Sequence, residues 1–294
     1  MKTRFVVIIF FVNSIFLFAQ LESKLSILDE SDAISYIKPM VTALSNTANA
    51  GLSFKTSIAE DVQFSVGLKG FLLYTASSQR IFAPNSLGGL IPGGSTSTIL
   101  GSKGSTLSDS LNRKYKFPNG YDYSTISHLY IHLAASYMFT EFFVKIYPAM
   151  NFADKNLILT SIGFRNNITS MLIKKPPFDL TLSIATNTFT LGDIIKSTNY
   201  SFGAQIGQTF NRLSLYAALL YEVTNGDLTY NITGNPSSGN PSLQTSHPVS
   251  TSFKGDTSVL SSVGASLKYE MFTLILEYTM ARNNISTAGV MMNF

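Results

Sequence analysis

The chain contains no cysteine and no tryptophan, and only 13% of its 294 residues are charged, about half of the roughly 25% usual in soluble domains. The missing cysteines exclude a disulfide scaffold, a thiolate metal centre and a lipidated N-terminal cysteine. The basic excess is slight: 21 Lys and Arg stand against 17 Asp and Glu, and without Lys2 and Arg4 the net charge falls from +4 to +2. So weak a balance gives no reason to expect a nucleic-acid partner. Also absent, after Gln20, is any apolar run long enough for a membrane helix of about 18 to 20 residues. The closest is Leu213 to Tyr221. What is abundant is aromatic surface, with 22 Phe and 14 Tyr.

The N-terminus carries Lys2 and Arg4, then an apolar run from Phe5 to Phe18 interrupted by Asn13 and Ser14, then Ala19 before Gln20. This three-part pattern predicts a signal peptide over residues 1–19. An uncleaved anchor is the alternative. The mature protein is then either soluble and exported, or it spans a membrane as strands.

Alternation at period two decides between them. Val62, Phe64, Val66 and Leu68 oppose Gln63, Ser65, Gly67 and Lys69, while Leu129, Ile131 and Leu133 oppose Tyr130, His132 and Ala134. The same pattern recurs in 178–189, 199–210, 258–269 and 271–281, which predicts strands with one apolar and one polar face. Segments of about 10 residues match tilted membrane strands better than the soluble mode of about 5 or 6. Aromatics gather beside tight turns, with Tyr137, Phe139, Phe142 and Phe143 around Thr140-Glu141 and Tyr269 and Phe272 around Glu270, where rings favour the headgroup level. The row Ala288, Val290, Met292, Phe294 ends on an aromatic, which resembles the assembly signal of bacterial outer-membrane barrels.

Loop lengths agree. With the last strand ending in the periplasm, the turns at Glu270, Asn211-Arg212, Thr140-Glu141 and 59–61 fall inside and the long connections 75–123 and 224–257 fall outside, the asymmetry of such barrels. Eleven strands are legible, near 49–57, 62–74, 126–138, 141–149, 157–165, 178–189, 199–210, 212–223, 258–269, 271–281 and 284–294. An antiparallel closure needs an even number, so a further strand is expected within 38–47. The predicted fold is an all-β, up-and-down transmembrane barrel of about twelve strands, in the range ten to fourteen, spanning 49–294 behind a short helical or plug segment at 20–48. Asp29 to Leu44, with acids at a plausible cap and helical spacing across Pro39, competes with the missing strand as a short helix. Asn166 to Leu172 reads as a helical turn at the periplasmic rim. The glycines of 88–94 and the stretch with Asn235-Pro236 and Asn240-Pro241 read as surface loops.

Chemistry is sparse. His128 and His132 share a face, but four residues of strand separate them by roughly 13 Å, too far to share one ion. His247 has no evident partner. None of the three has a serine two positions later, the spacing of outer-membrane phospholipases, and Asp227 and Asp256 are ordinary loop acids. The glycines of 88–94 lack the Lys-Ser or Lys-Thr of a phosphate loop. No catalytic residue, metal or cofactor is expected. The face opposite the apolar rows carries Lys69, His128, Tyr130, His132, Lys145, Tyr147, Arg165, Asp179, Tyr216, Glu222, Lys268 and Glu277, the candidate lumen residues, and Ser201, Gly203, Gln205 and Gly207 add small polar positions. Charges of both signs suit either a polar pore or a crosslinked, filled interior.

Tyr36-Ile37-Lys38-Pro39, Ile162-Gly163-Phe164-Arg165-Asn166-Asn167-Ile168 with Pro177-Phe178-Asp179-Leu180, and Leu215-Tyr216-Ala217-Ala218-Leu219-Leu220-Tyr221-Glu222 resemble an uncharacterised family of outer-membrane barrels of the Bacteroidetes type. A more distant similarity is to long-chain fatty-acid transporter barrels, which also have an N-terminal segment associated with the barrel. These resemblances imply a bacterial outer-membrane location, with membrane lipid and the barrel-assembly machinery as partners, Phe294 as the assembly residue, and a small hydrophobic or amphipathic ligand. Passive conduction or uptake of a small solute is the first expected function. A structural or surface-interaction barrel with a filled interior is the alternative.

Overall fold

A computed structural model describes the chain except for residues 1–20, 54, 85–93, 110–111, 154 and 175. The expected signal peptide and most of the 88–94 glycine loop lie outside the described residues. The alternating segments form strands β1 (Gln63–Tyr74), β2 (Thr125–Tyr137), β3 (Thr140–Phe152), β4 (Lys155–Asn167), β5 (Asp179–Leu191), β6 (Ile195–Phe210), β7 (Leu213–Ile232), β8 (His247–Lys254), β9 (Ser258–Tyr269), β10 (Phe272–Met280) and β11 (Asn284–Asn293). Ten of them close an antiparallel ring in the order β1-β2-β3-β4-β5-β6-β7-β9-β10-β11. Closure joins β11 to β1, with Leu68 opposite Val290. At its edge the Phe294 N–H donates to the Phe64 carbonyl at 2.8 Å, and the Phe64 N–H returns a bond to Phe294 at 3.3 Å. β8 stands outside the ring, paired only with the far end of β7, from Asn225 opposite Lys254 to Ile232 opposite His247.

The ring therefore has ten strands where about twelve are expected. Both differences lie at the N-terminus. Residues 38–47 belong to helix α2 (Glu30–Asn49), which follows the one-turn helix α1 (Leu21–Leu25). Asp29 caps α2 by accepting the Asp32 N–H at 2.9 Å, and the 3.6-residue spacing of Ala33, Ile37, Met40, Val41 and Leu44 prevails over any strand pattern. The described residues of 51–62 belong to no strand. Their alternation is real; it belongs to a segment that runs through the lumen. Wall side chains satisfy its backbone instead of a ladder: Arg165 and Gln205 donate to the Lys55 carbonyl at 2.9 and 3.2 Å, and Asn167 to the Thr56 carbonyl at 3.3 Å.

Every ring strand turns apolar side chains outward. Phe64, Val66 and Leu68, Ile131 and Leu133, Ile162 and Phe164, Leu182 and Ile184, Phe202 and Ile206, Leu219 and Tyr221, Val263 and Leu267, Leu274 and Leu276, and Val290 are all exposed. A continuous apolar belt of this kind exceeds by far the patches that soluble monomers expose. It is the outer surface of a membrane barrel.

Short turns occur at both ends of the ring, with 192–194 and 281–283 at the end that carries the long connections and the eleven-residue connection 168–178 at the other, so the ends are distinguished by the long connections alone. At one end β2–β3, β6–β7 and β9–β10 are joined by two-residue turns. The first is Met138-Phe139 rather than the expected Thr140-Glu141; both residues have left-handed φ, 48° and 60°, as a tight hairpin with the twist of its strands requires. Their N–H groups bond to Glu60 and Ala59 at 2.8 and 3.1 Å, so the lumen segment is docked on this turn before it enters β1. Helix α3 (Ile168–Leu172) sits at the same end, its cap Asn167 accepting from Ser170. The other end carries residues 75–124, with two short ladders at 81–82/96–97 and 106–108/114–116. The segment 224–257 is not a loop throughout: β7 continues to Ile232 and pairs with β8. There the outward row changes from apolar to Asn225, Asp227, Thr229 and Asn231, all exposed, while Leu228, Tyr230 and Ile232 face inward and are buried. That switch marks where the belt stops.

A lysine in the belt and one above it should separate these zones. Leu276→Lys is expected to destabilise the barrel by about 2 to 4 kcal/mol if it lies near the midplane, whereas Thr229→Lys should stay within about 0.5 kcal/mol, both read from denaturant unfolding in lipid vesicles.

Candidate functional site

The lumen is occupied. In its long-connection half, α1 and α2 form one apolar core with the inward residues of the ring. Tyr36, Ile37, Met40, Val41 and Leu44 are buried together with Phe71, Leu73, Tyr147, Leu157, Leu159, Phe189, Leu191 and Leu228. Pro39 lies inside α2 and deprives the Ser35 carbonyl of its helical donor. One residue on, the Tyr36 carbonyl accepts the Ile99 N–H of the 75–124 connection at 2.9 Å, and Ile99 and Leu100 are themselves fully buried over the helix.

Polar groups take over where α2 ends. A helix C-terminus leaves four carbonyls without helical donors and carries a partial negative charge of about half an electron. The wall meets it with cations. Lys145 Nζ donates to the Ala48 carbonyl at 2.9 Å and the Ala50 carbonyl at 2.7 Å, and Lys69 Nζ donates to the Gly51 carbonyl at 2.9 Å. The Gly51 N–H in turn donates to Glu277 at 2.7 Å. Gly51 has φ +67°, and the Tyr130 hydroxyl and Thr287 occupy the space a Cβ would need, so no other residue fits this junction. Beside it Asn46 and Asn49, one turn apart, both donate to Glu222, Asn49 at 2.5 Å. Asn187 joins the set through Asn49 at 2.7 Å and Asn199 at 2.8 Å.

A second ionic group holds the extended segment. Lys55 reaches Glu141 at 2.7 Å, and Arg165 reaches the other oxygen at 3.1 Å and Gln205 at 2.9 Å. Glu141 and Arg165 are almost fully buried. The interior thus holds four cations, Lys55, Lys69, Lys145 and Arg165, with three carboxylates, Glu141, Glu222 and Glu277. The helix terminus adds a partial negative charge of about half an electron.

Of the candidate lumen residues, Lys69, Tyr130, His132, Lys145, Tyr147, Arg165, Tyr216, Glu222 and Glu277 are buried inside. Tyr130 stacks on Tyr147 with ring centres 4.8 Å apart, His132 packs against Phe143, and Tyr216 donates to Glu277 at 3.3 Å. Three others share the inward phase but sit at the rims. His128 is near the long-connection mouth, its Nε2 2.9 Å from the Pro148 carbonyl. Asp179 binds Asn167 at 2.7 Å beside α3. Lys268 is exposed near the short turns. Sequence reading overlooked Lys55, Asn46, Asn49, Asn187, Asn199 and Glu141. The turn expected at Thr140-Glu141 lies two residues earlier, which puts Glu141 on the inward phase of β3 with Lys145 and opposite Ser136.

Above the membrane belt, a cleft of about 330 Å³ opens between the start of α2 and the two long connections, lined among others by Asp29, Asp32, Arg113, Lys116 and Asn240. Its floor is fixed: Asn240 donates to Asp29 at 2.7 Å. Arg113 is paired with Asp109 at 2.6 Å. Nearby, Lys24 lies 4.0 Å over the Tyr121 ring and donates to the Asn119 carbonyl at 2.7 Å; burial pulls its ammonium below the usual lysine range.

Solved structures similar to this chain are outer-membrane β-barrels. The attachment invasion locus protein Ail of Yersinia pestis is 10% identical, with 80% of this chain and 99% of that one covered and a TM-score of 0.26. The outer-membrane protease OmpT of Escherichia coli is 10% identical over 82% and 99%, with a TM-score of 0.34. The toluene transporter TbuX of Ralstonia pickettii is 10% identical over 80% and 89%, with a TM-score of 0.24. No curated protein matches. Residues 1–294 match the profile described as "Family of unknown function (DUF6588)".

Breaking either ionic group should loosen the interior. Lys145→Met removes two charge-assisted bonds and is expected to cost about 3 kcal/mol. Arg165→Met, which leaves Glu141 with Lys55 as its remaining cation, should cost about 3 kcal/mol; adding Glu141→Gln should return more than about 1 kcal/mol of it. Additive losses in a double-mutant unfolding cycle would show that the pair is not coupled.

Proposed function

We propose a function for a chain that belongs to a family, DUF6588, whose own function is unknown: it is an outer-membrane barrel sealed by its own N-terminal segment, and its capped outer face is the surface that works. In this reading the long connections lie outside and the opposite end of the ring in the periplasm, the asymmetry of such barrels. Membrane lipid covers the belt, and the barrel-assembly machinery inserts the chain through the strand that ends at Phe294. No catalytic step is assigned to it. The outer face, with the cleft bordered by Arg113, Lys116 and Asp32, makes contacts with molecules outside the cell.

The observation that carries this reading is the burial of α2. Tyr36, Ile37, Met40, Val41 and Leu44 are at most 3% exposed; at about 1.5 to 3 kcal/mol each their burial contributes roughly 7 to 15 kcal/mol. That equals the whole stability of an ordinary domain, about 5 to 15 kcal/mol. Opening the lumen by withdrawing α2 therefore costs about as much as unfolding, and a structure so costly to open suits a support better than a gate.

A second reading is a conduit for a small hydrophobic or amphipathic solute, in line with the resemblance to fatty-acid transporter barrels. It is favoured by the short-turn half of the lumen, where Ser201, Gln205, Ser262 and Ser266 line the wall and the lumen contains a single extended segment rather than a helix. Planar-bilayer recording separates the two. The sealed barrel should be silent, and its deletion should leave solute uptake unchanged. Steady single-channel openings that change when Lys145 or Glu222 is neutralised would overturn it in favour of the conduit. Removal of Phe294 should lower the amount of barrel recovered in the outer membrane; unchanged insertion would remove that residue from the assembly argument.

A further inference from the structure

The N-terminal segment crosses the lumen from the long-connection end to the β2–β3 turn. α1 and the three residues after it are tied to the long-connection end at four places. Glu22 pairs with Lys155 at 2.8 Å, Lys24 donates to Asn119, the Thr233 N–H donates to Ser26 at 2.8 Å, and Tyr230 donates to the Leu28 carbonyl at 3.0 Å. From there the chain descends without doubling back. Tyr36 is held by Ile99, Asn46 and Asn49 by Glu222, Gly51 by Lys69 and Glu277, Lys55 by Glu141, and Ala59 and Glu60 by the Met138-Phe139 turn.

We infer that this barrel carries its own N-terminal segment across the outer membrane, so that α1 and the start of α2 lie at the cell surface. The inference rests on the sidedness proposed above. An exported chain reaches the outer membrane from the periplasm, and β1 starts at the periplasmic end; a segment that runs from β1 up the lumen to the outer mouth has moved its own N-terminus through the bilayer plane.

Because the chain has no cysteine, single introduced thiols report location cleanly. Ile27→Cys, exposed beside α1, is the probe; Ser237→Cys in the outer hairpin and Arg212→Cys in a short turn are the controls. A membrane-impermeant maleimide should label Ile27→Cys and Ser237→Cys on intact cells, and Arg212→Cys only after the outer membrane is permeabilised. Labelling of Ser237→Cys alone from outside would overturn the threading while leaving the sidedness in place. Exchange of the two controls would overturn the sidedness and the inference with it. A second readout does not depend on these side chains: an epitope inserted between Gln20 and Leu21 should be lost when intact cells are treated with protease, and protection of the epitope beside a cleaved outer hairpin would overturn the proposal.

Discussion

A helix that ends inside a membrane barrel has carbonyl groups with no water to turn to, and the architecture of this protein follows from how they are satisfied. Lys145 and Lys69 supply the donors, and each brings a charge that must itself be offset. Glu277 answers one through the Gly51 N–H, Glu222 collects the asparagines of the last helical turn, and with Asn187 and Asn199 the network extends across six strands. The depth at which α2 stops is fixed by the positions of these side chains on β1, β3, β7 and β10. Moving the helix by one turn would place apolar side chains against Lys145 and leave the ammonium without acceptors.

The two halves of the lumen use different physics. The half toward the long connections behaves as the interior of a soluble domain, with an apolar helix face against Phe, Leu and Tyr. The half toward the short turns holds its segment by hydrogen bonds from Arg165, Gln205 and Asn167 to main-chain carbonyls. The first contributes stability through area. The second contributes register, because a bond at 2.9 Å from Arg165 to Lys55 O is satisfied at one position and at no neighbour.

Much of this was legible in the residues. Period-two patterning marks the ring strands because each has one face in lipid and one inside, and residue types such as Lys69 and Glu277 on an otherwise apolar strand identify the inner phase. The N-terminus was harder for a physical reason. Residues 49–57 alternate as a strand does, since an extended segment in a tube meets wall on opposite sides, and nothing in the pattern distinguishes a ladder partner from an arginine side chain as the donor. Pro39 argued against a helix that packing maintains. The asparagines at 46, 49, 187 and 199 carry no periodic signature at all; only their meeting at Glu222 gives them a role.

Closure by Phe64 and Phe294 joins the first strand of the ring to the end of the last. In any chain that stops short of β11, both β1 and β10 are open edges, each a row of unpaired N–H and C=O groups beside an apolar face, and such edges are templates for pairing with another copy. The contacts between β1 and β11 that remove the first of these edges are among the most distant in sequence that the fold contains, and pairings of that kind form slowly. Protection of that open sheet, more than the strength of any finished contact, is the condition on which the yield of folded barrel depends.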